Sequence, residues 1–143
     1  MRGEPTDARS TRLFEVISAA DRRAADFGCL RGGCAAVATD RSVDLRVTRF
    51  SGPMVGSSVV CSGVEGCCGC PHAETRLVVQ LLSRRHSSAW TLLCSTSPCV
   101  VCAAAIVDSE LFVEVYWLRD YRDARGIAML RDAGLACGRL RGP

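Results

Sequence analysis

The sequence predicts an α/β fold, a mixed sheet with helices packed on it. Two short strand-like runs flank a hairpin-length turn, which predicts one antiparallel pair. Further on, apolar strand-like runs alternate with helical segments, the pattern of parallel strands covered by helices. A chain of 143 residues, 48% of them hydrophobic, has the size and apolar content for one buried core.

Each element has a local signal. Residues 1–10 are polar and read as a disordered N-terminal tail, with a single domain over 11–143. From Thr11, TRLFEVISAADRRAADF carries Leu13, Val16, Ile17, Ala20 and Ala24 at helical spacing, and Gly28 ends it. CAAVATD (34–40) and LRVTRF (45–50) form the strand pair, joined by RSVD. Residues 51–70 are a Gly-, Ser- and Cys-rich loop, a length that is usually functional or tied down. Pro71 takes the first position of the next helix, HAETRLVVQLLSRR. AWTLLCS (89–95) reads as a buried strand, Pro98 opens the helix CVVCAAAIVDSE, and FVEVYWL (112–118) is a further buried strand. DARGIAMLRDAG (123–134) is a helix with Ile127, Leu130 and Ala133 on one face and Gly134 as its stop. LACGRL is a last edge strand.

Composition narrows the function. All 18 basic residues are Arg, and the chain has neither Lys nor Asn. Ile, Phe, Tyr and Met are also scarce. These residues have AT-rich codons, so the arginines reflect a GC-rich genome rather than a basic surface. The net charge of +3 therefore gives no ground for nucleic-acid binding, and the doublets Arg22-Arg23 and Arg84-Arg85 read as solvated faces. The opening MRGEPTDARSTR lacks the apolar stretch of a signal peptide. The longest apolar run, Val100 to Val107, falls far short of the roughly 18–20 residues of a membrane span. The expectation is a cytoplasmic protein with no membrane partner, whose ten cysteines serve metal rather than disulfides.

Two motifs carry chemistry, PHAE (71–74) and PCVVC (98–102), each at the start of a predicted helix. Cys99 and Cys102 stand at i, i+3 and share one face of a first turn, where the helix dipole favours thiolate. His72 supplies a third ligand. Three protein ligands leave one tetrahedral position for water, the pattern of a catalytic zinc. Side chains in a first turn tilt toward the helix N-terminus, so Glu74 can stand beside that water without binding metal. Zinc brings the pKa of such a water to about 7, and a neighbouring carboxylate can move its proton. Together these groups suit hydroxide attack on a ring carbon and protonation of a departing amine, which is hydrolytic deamination. One alternative is a structural zinc held by His72, Cys99, Cys102 and another cysteine, with Glu74 on the surface. A bare CxxC could also be a redox pair.

The pattern H-x-E…P-C-x-x-C is the signature of zinc deaminases acting on cytosine or adenine. From Leu13 to Cys137 the chain resembles the cytidine/deoxycytidylate deaminase superfamily, and within it the deoxycytidylate (dCMP) deaminase branch. CLRGGCAAVA (29–38) is similar to that branch's first strand, FSGPMVGSSVVC (50–61) to its substrate loop, and VYWLRDYRDARGIAMLRDAGL (115–135) to its strand, Tyr-containing loop and final helix. The resemblance implies a cytidine deaminase-like three-layer α/β/α fold with a mixed five-stranded sheet. It also implies a zinc cofactor, a small-molecule cytosine nucleotide as substrate, and assembly into a homo-oligomer. Tyr121 would line the pyrimidine or deoxyribose pocket. Arg122 is a candidate for the 5′-phosphate, with a solvated loop residue as the alternative. The backbone around Ala73, Ser97 and Cys99 would grip the base edge. Ser51 stands where similar enzymes carry Asn, and its hydroxyl cannot donate and accept in the same pattern.

The resemblance further implies a second, structural zinc at the substrate loop, with Cys29, Cys61 and Cys67 as ligands and Cys70 or Cys68 completing four. The alternative is a set of free thiols. Cys34, Cys94 and Cys137 read as core residues, His86 as solvated, and Trp90 and Trp117 as core or subunit interface. The expected activity is dCMP to dUMP with release of ammonia. Alternatives are a deaminase of cytidine, deoxycytidine or a modified or triphosphorylated cytosine nucleotide, and a non-catalytic zinc-stabilised binding module.

Overall fold

Asp40 fixes where the first two strands pair. Its carboxylate accepts from the N–H groups of Asp44 and Leu45 and from the Ser42 hydroxyl. The turn so closed carries Val43 at a left-handed φ of 67° and buries its side chain. The strands leaving it are β1 (Ala35–Thr39) and β2 (Arg46–Phe50), antiparallel with Ala35 opposite Phe50. A computed structural model describes residues 7–54, 56, 60–64, 68–84 and 89–142.

The described residues contain three more strands, β3 (Trp90–Thr96), β4 (Phe112–Arg119) and β5 (Ala136–Arg139). Four α-helices accompany them: α1 (Asp7–Arg23), α2 (Ala73–Ser83), α3 (Val100–Ser109) and α4 (Arg125–Asp132). The sheet order is β2-β1-β3-β4-β5. β1 is antiparallel to both neighbours, whereas β3, β4 and β5 run parallel. The sheet is therefore mixed, as predicted.

Side chains alternate strictly between the two faces. Ala35, Val37, Leu93 and Tyr116 meet Leu13, Ile17 and Ala20 of α1. Their sequence neighbours Ala36, Ala38, Leu92, Cys94, Val115 and Trp117 meet α2, α3 and α4 through Leu77, Leu81, Ile106, Ile127 and Leu130. Full burial of such a side chain is worth roughly 1.5–3 kcal/mol, so these two apolar layers carry most of the fold. β2, β3, β4 and β5 are traversed in one direction with a helix between each pair. Successive crossovers of one hand put all three helices on the same face, and α2 crosses over β1 to do so. The helix starts at α2 and α3 thus come to the same sheet edge, beside the carboxyl ends of β2, β3 and β4.

Three details depart from the sequence expectation. α1 begins at Asp7, four residues before Thr11, because its first turns are held by polar contacts that no apolar period reveals. Arg9 donates to both Glu114 carboxylate oxygens (3.0 and 2.9 Å) and to Thr91 (3.2 Å), and Arg12 donates to Ser42 and Asp44. Cys34 stands one residue ahead of β1 and is half-buried at the sheet edge rather than in the core. Cys137 is half-buried because β5 is an edge strand. Trp90, Trp117 and Cys94 are in the core as expected. His86 and the tail residues 1–6 lie outside the described residues. No helix among the described residues is long and apolar enough to cross a membrane.

Burial pushes the Glu114 carboxyl upward, but the hydrogen bonds from Arg9, Tyr116 and Thr91 outweigh it and leave the value below the ordinary 4.5. A depressed carboxyl stabilises the fold above its unfolded value, and that contribution is lost as pH falls through the folded value. Arg9→Ala is expected to cost about 2 kcal/mol at pH 7. The difference from wild type should shrink below about pH 4 as Glu114 takes a proton. Urea denaturation at both pH values checks this.

Candidate functional site

The chemistry-bearing residues gather where the α2 and α3 N-termini meet the sheet edge. His72 is the residue before α2 and Cys99 the residue before α3, both with extended backbone. Each is the N-cap, so Pro71 stands one residue outside α2 rather than at its first helical position as the sequence suggested, and Pro98 precedes α3 in the same way. On α3, Cys99 Sγ accepts from the Cys102 N–H at 3.5 Å. The i, i+3 spacing predicted from sequence puts Cys102 on the same face, buried, with its sulfur 3.2 Å from His72 Nδ1. Cys99 Sγ lies 3.6 Å from the same nitrogen.

All three donor atoms lie within 4.8 Å of one another. In a tetrahedral zinc site, bonds of about 2.0–2.3 Å set neighbouring ligands roughly 3.5–3.8 Å apart. The triad is drawn in to that scale, and its donor set of one imidazole and two thiols is one that zinc takes. Cys99 is held down to about 3 by hydrogen bonds from Cys102 and His72, against the effect of burial. Cys102 is pushed up by Cys99 and by burial. His72 is raised chiefly by its hydrogen bond to Cys99.

Glu74 lies in the first turn of α2, only 6% exposed. Burial raises its carboxyl, opposed by hydrogen bonding and by His72. The surrounding groups are thiols. Cys102 hydrogen-bonds it, the fully buried Cys94 does so from β3, and its charge helps lift Cys34 to about 11 after burial has done most. A carboxyl set among weak sulfur donors beside a metal-type triad is positioned to hold or release a proton.

The remaining predicted site residues hold the rim together. Ser51 accepts from the Cys34 N–H through Oγ at 2.7 Å and donates its own N–H to the Cys34 carbonyl at 2.9 Å. Ser97 donates its N–H to the Arg119 carbonyl, and its hydroxyl accepts from the Tyr121 N–H at 2.7 Å. Ser97 therefore ties the end of β3 to the end of β4. Ala73 is fully buried as the first residue of α2. Tyr121 is half-buried, and the exposed Arg122 guanidinium stands 5.0 Å from its ring centroid, a cation–π contact.

A second cluster precedes the triad along the chain. The sulfurs of Cys29, Cys61, Cys68 and Cys70 also lie within 4.8 Å of one another. Cys29 Sγ is 4.0 Å from both Cys61 Sγ and Cys68 Sγ. That is far beyond a disulfide bond of about 2.05 Å and near the spacing of thiolates around zinc. All nine described cysteines are free. The Leu30 N–H donates to Cys61 Sγ at 3.3 Å and is the main cause that brings Cys61 down to about 7. Cys68 stands here together with Cys70; Cys67, expected as a ligand, lies outside the described residues.

Three residues of the site had no role assigned from sequence. Arg76 on α2 donates to the carbonyls of Phe50 (2.9 Å) and Gly52 (2.8 Å), clamping the start of the long loop onto the helix that carries Glu74. Thr75 places its hydroxyl 3.4 Å from Cys102 Sγ. Gly126 on α4 lies so close to the α3 start that an added Cβ would overlap the Pro98 carbonyl oxygen. It would also stand 3.0 Å from the Cys99 carbonyl carbon and oxygen. A glycine inside a helix costs about 1 kcal/mol against alanine, and that unexplained cost was the available sequence signal.

No family model matches the chain, and no curated protein matches it significantly. Solved structures do match. A dCMP deaminase from the cyanophage S-TIM5, in complex with dCMP and dUMP, superposes with a TM-score of 0.77 at 21% identity, over 88% of this chain and 94% of that one. A Rib2 deaminase from Aspergillus oryzae gives 0.62 at 14% identity, over 91% and 84%. A guanine deaminase from Nitrosomonas europaea gives 0.56 at 19% identity, over 96% and 79%.

On propensity alone, Gly126→Ala should stabilise α4 by about 1 kcal/mol. The overlap with Pro98 reverses the sign, and a net loss of about 1–3 kcal/mol is expected in chemical denaturation. The same change should weaken metal binding by the triad in chelator competition, because it displaces Cys99. What the geometry and the superpositions establish together is that the chain has the cytidine deaminase-like fold, shared with dCMP deaminases.

Proposed function

We propose that the protein is a zinc-dependent hydrolytic deaminase of a cytosine nucleotide, converting dCMP to dUMP and ammonia. The observation that carries this is the buried Glu74 carboxyl beside the His72, Cys99 and Cys102 donors at the sheet edge. His72 Nδ1 and the sulfurs of Cys99 and Cys102 are the atoms that would hold the metal. Zinc in such a three-donor site supplies a hydroxide nucleophile at neutral pH. Glu74 would carry both protons that water gives up, one to the ring nitrogen and the other to the departing amine. Water supplies the oxygen of the product, and the amine leaves as ammonia.

The shared fold with an enzyme whose structure holds dCMP and dUMP supports the choice of substrate. Tyr121 and Arg122, at the rim, would meet the sugar and the 5′-phosphate. A nucleoside or modified cytosine nucleotide is the second substrate reading, favoured by two contacts. The Ser51 hydroxyl already accepts from Cys34, and the Arg122 guanidinium already rests on Tyr121. A purely structural zinc module fits less well, because a buried carboxyl costs stability unless it is used or paired. Cys29, Cys61, Cys68 and Cys70 would hold a second, structural zinc. Free thiols suit a reducing cytoplasm. Assembly into a homo-oligomer belongs to the same reading, with the exposed Val79, Leu82 and Val101 on α2 and α3 as the surface to examine.

Glu74→Gln is expected to lower turnover about 10²–10⁴-fold while metal content stays unchanged. Wild-type turnover in that variant would show that another group moves the proton. Ammonia release from dCMP, CMP, deoxycytidine, dCTP and a cytosine oligonucleotide tests the substrate. Equal activity on deoxycytidine and dCMP would remove the phosphate role from Arg122. Elemental analysis should find two zinc ions per chain, and a value of one would refute the cysteine cluster as a metal site.

A further inference from the structure

Two i, i+3 pairs face each other across the helix starts. His72 and Thr75 share one face of α2, and Cys99 and Cys102 share one face of α3. Cys102 receives both members of the first pair, His72 Nδ1 at 3.2 Å and Thr75 Oγ1 at 3.4 Å. The direction of the Thr75 contact is unusual for a helical hydroxyl. Such groups commonly bond back to a carbonyl in their own helix, and here Ser83 does so to Gln80 (3.0 Å) and Ser109 to Ile106 (2.7 Å). Thr75 instead reaches a sulfur on another helix.

We propose that Thr75 is a positioning residue for the metal site, its hydroxyl donating a hydrogen bond to the Cys102 sulfur and fixing that ligand's orientation and donor strength. This rests on the zinc assignment above and extends it to a residue outside the ligand set. A thiolate bound to a cation has lone pairs to share and no proton to give, so the hydroxyl must be the donor. Cys102 is buried, where a thiolate without a donor is costly, and the surrounding side chains of the triad are committed to the metal. Partners of this kind orient the ligand and tune the metal, and their loss typically lowers metal affinity about 10–100-fold.

The test compares Thr75→Val, which keeps the branched shape, with Thr75→Ser, which keeps the hydroxyl. Zinc affinity is read by chelator competition. The cobalt-substituted protein is read by its sulfur-to-cobalt charge-transfer band, with Cys102→Ser identifying the part that belongs to the triad. Thr75→Val should bind zinc about 10-fold more weakly. It should also shift the Cys102-dependent band to lower energy, because the sulfur lone pairs lose their stabilising donor. Thr75→Ser should match wild type on both counts. An unchanged affinity and band in Thr75→Val would overturn the proposal. So would equal losses in both variants, since the γ-methyl rather than the hydroxyl would then be responsible. If wild type shows no Cys102-dependent band, the zinc assignment itself fails and takes this inference with it. A band that is present but indifferent to Thr75 removes only the inference.

Discussion

The meeting of two helix N-termini at one sheet edge is the constraint on which the rest of the structure depends. Neither HAE nor CVVC brings the three donor atoms of His72, Cys99 and Cys102 together on its own helix; they converge only between the two. Convergence requires that α2 and α3 lie on the same sheet face, with their starts at the same end. The crossover order β2-α2-β3-α3-β4 meets both conditions, since all its strands run in one direction. The antiparallel β1, inserted between β2 and β3, lets α2 cross above it and still start beside the end of β3. Gly126 then admits α4 against the Pro98–Cys99 backbone and backs α3 from the far side. A side chain there would displace the backbone of Pro98 and Cys99.

Opposed forces meet at the same point. The helix dipole favours negative charge at each N-terminus by about 0.3–1 kcal/mol, up to roughly 2 in partly buried geometry. Burial works against charge and is the larger influence on Glu74 and on Cys94. The outcome differs between the two thiols of the triad. The half-exposed Cys99 is lowered by its neighbours, whereas the buried Cys102 is raised by Cys99 and by burial. A divalent cation would satisfy both sulfurs at once, which is the electrostatic argument for a metal where these three residues meet.

Much of this was legible in the sequence because it rests on local spacing. The strand-like run CAAVATD, the apolar runs at 89–95 and 112–118, and the prolines before His72 and Cys99 are all local signals, and each element formed within a few residues of its expected bounds. Contacts between distant residues were not legible. Nothing local distinguishes Arg76, which clamps the loop at Phe50 and Gly52, from the other arginines of an arginine-biased chain. Ser51 and the backbone around Ser97 were read as ligand contacts by resemblance, and nothing local foretold that the two hydroxyls take hydrogen bonds from the Cys34 and Tyr121 N–H groups across the rim. The fourth sulfur of the cysteine cluster depends on loop conformation, which spacing alone did not distinguish among Cys67, Cys68 and Cys70.

Pro71 joins the two cysteine-bearing regions more tightly than their separate roles imply. Cys70 belongs to the four-sulfur cluster and His72 to the triad, with one conformationally restricted residue between them. Proline fixes its own φ and removes a donor, so the pair Cys70–His72 has little freedom to adjust independently. Arg76, one helical turn beyond His72, fastens the same helix to Phe50 and Gly52 at the other end of the loop. The loop is therefore attached to α2 at both ends, by the chain itself at Cys70 and by a guanidinium at Arg76. Anything that draws the four sulfurs together also restrains His72, and a disturbance of α2's first turn reaches the loop by two routes. The second cluster thus bears on the site through the backbone rather than through any contact with a ligand.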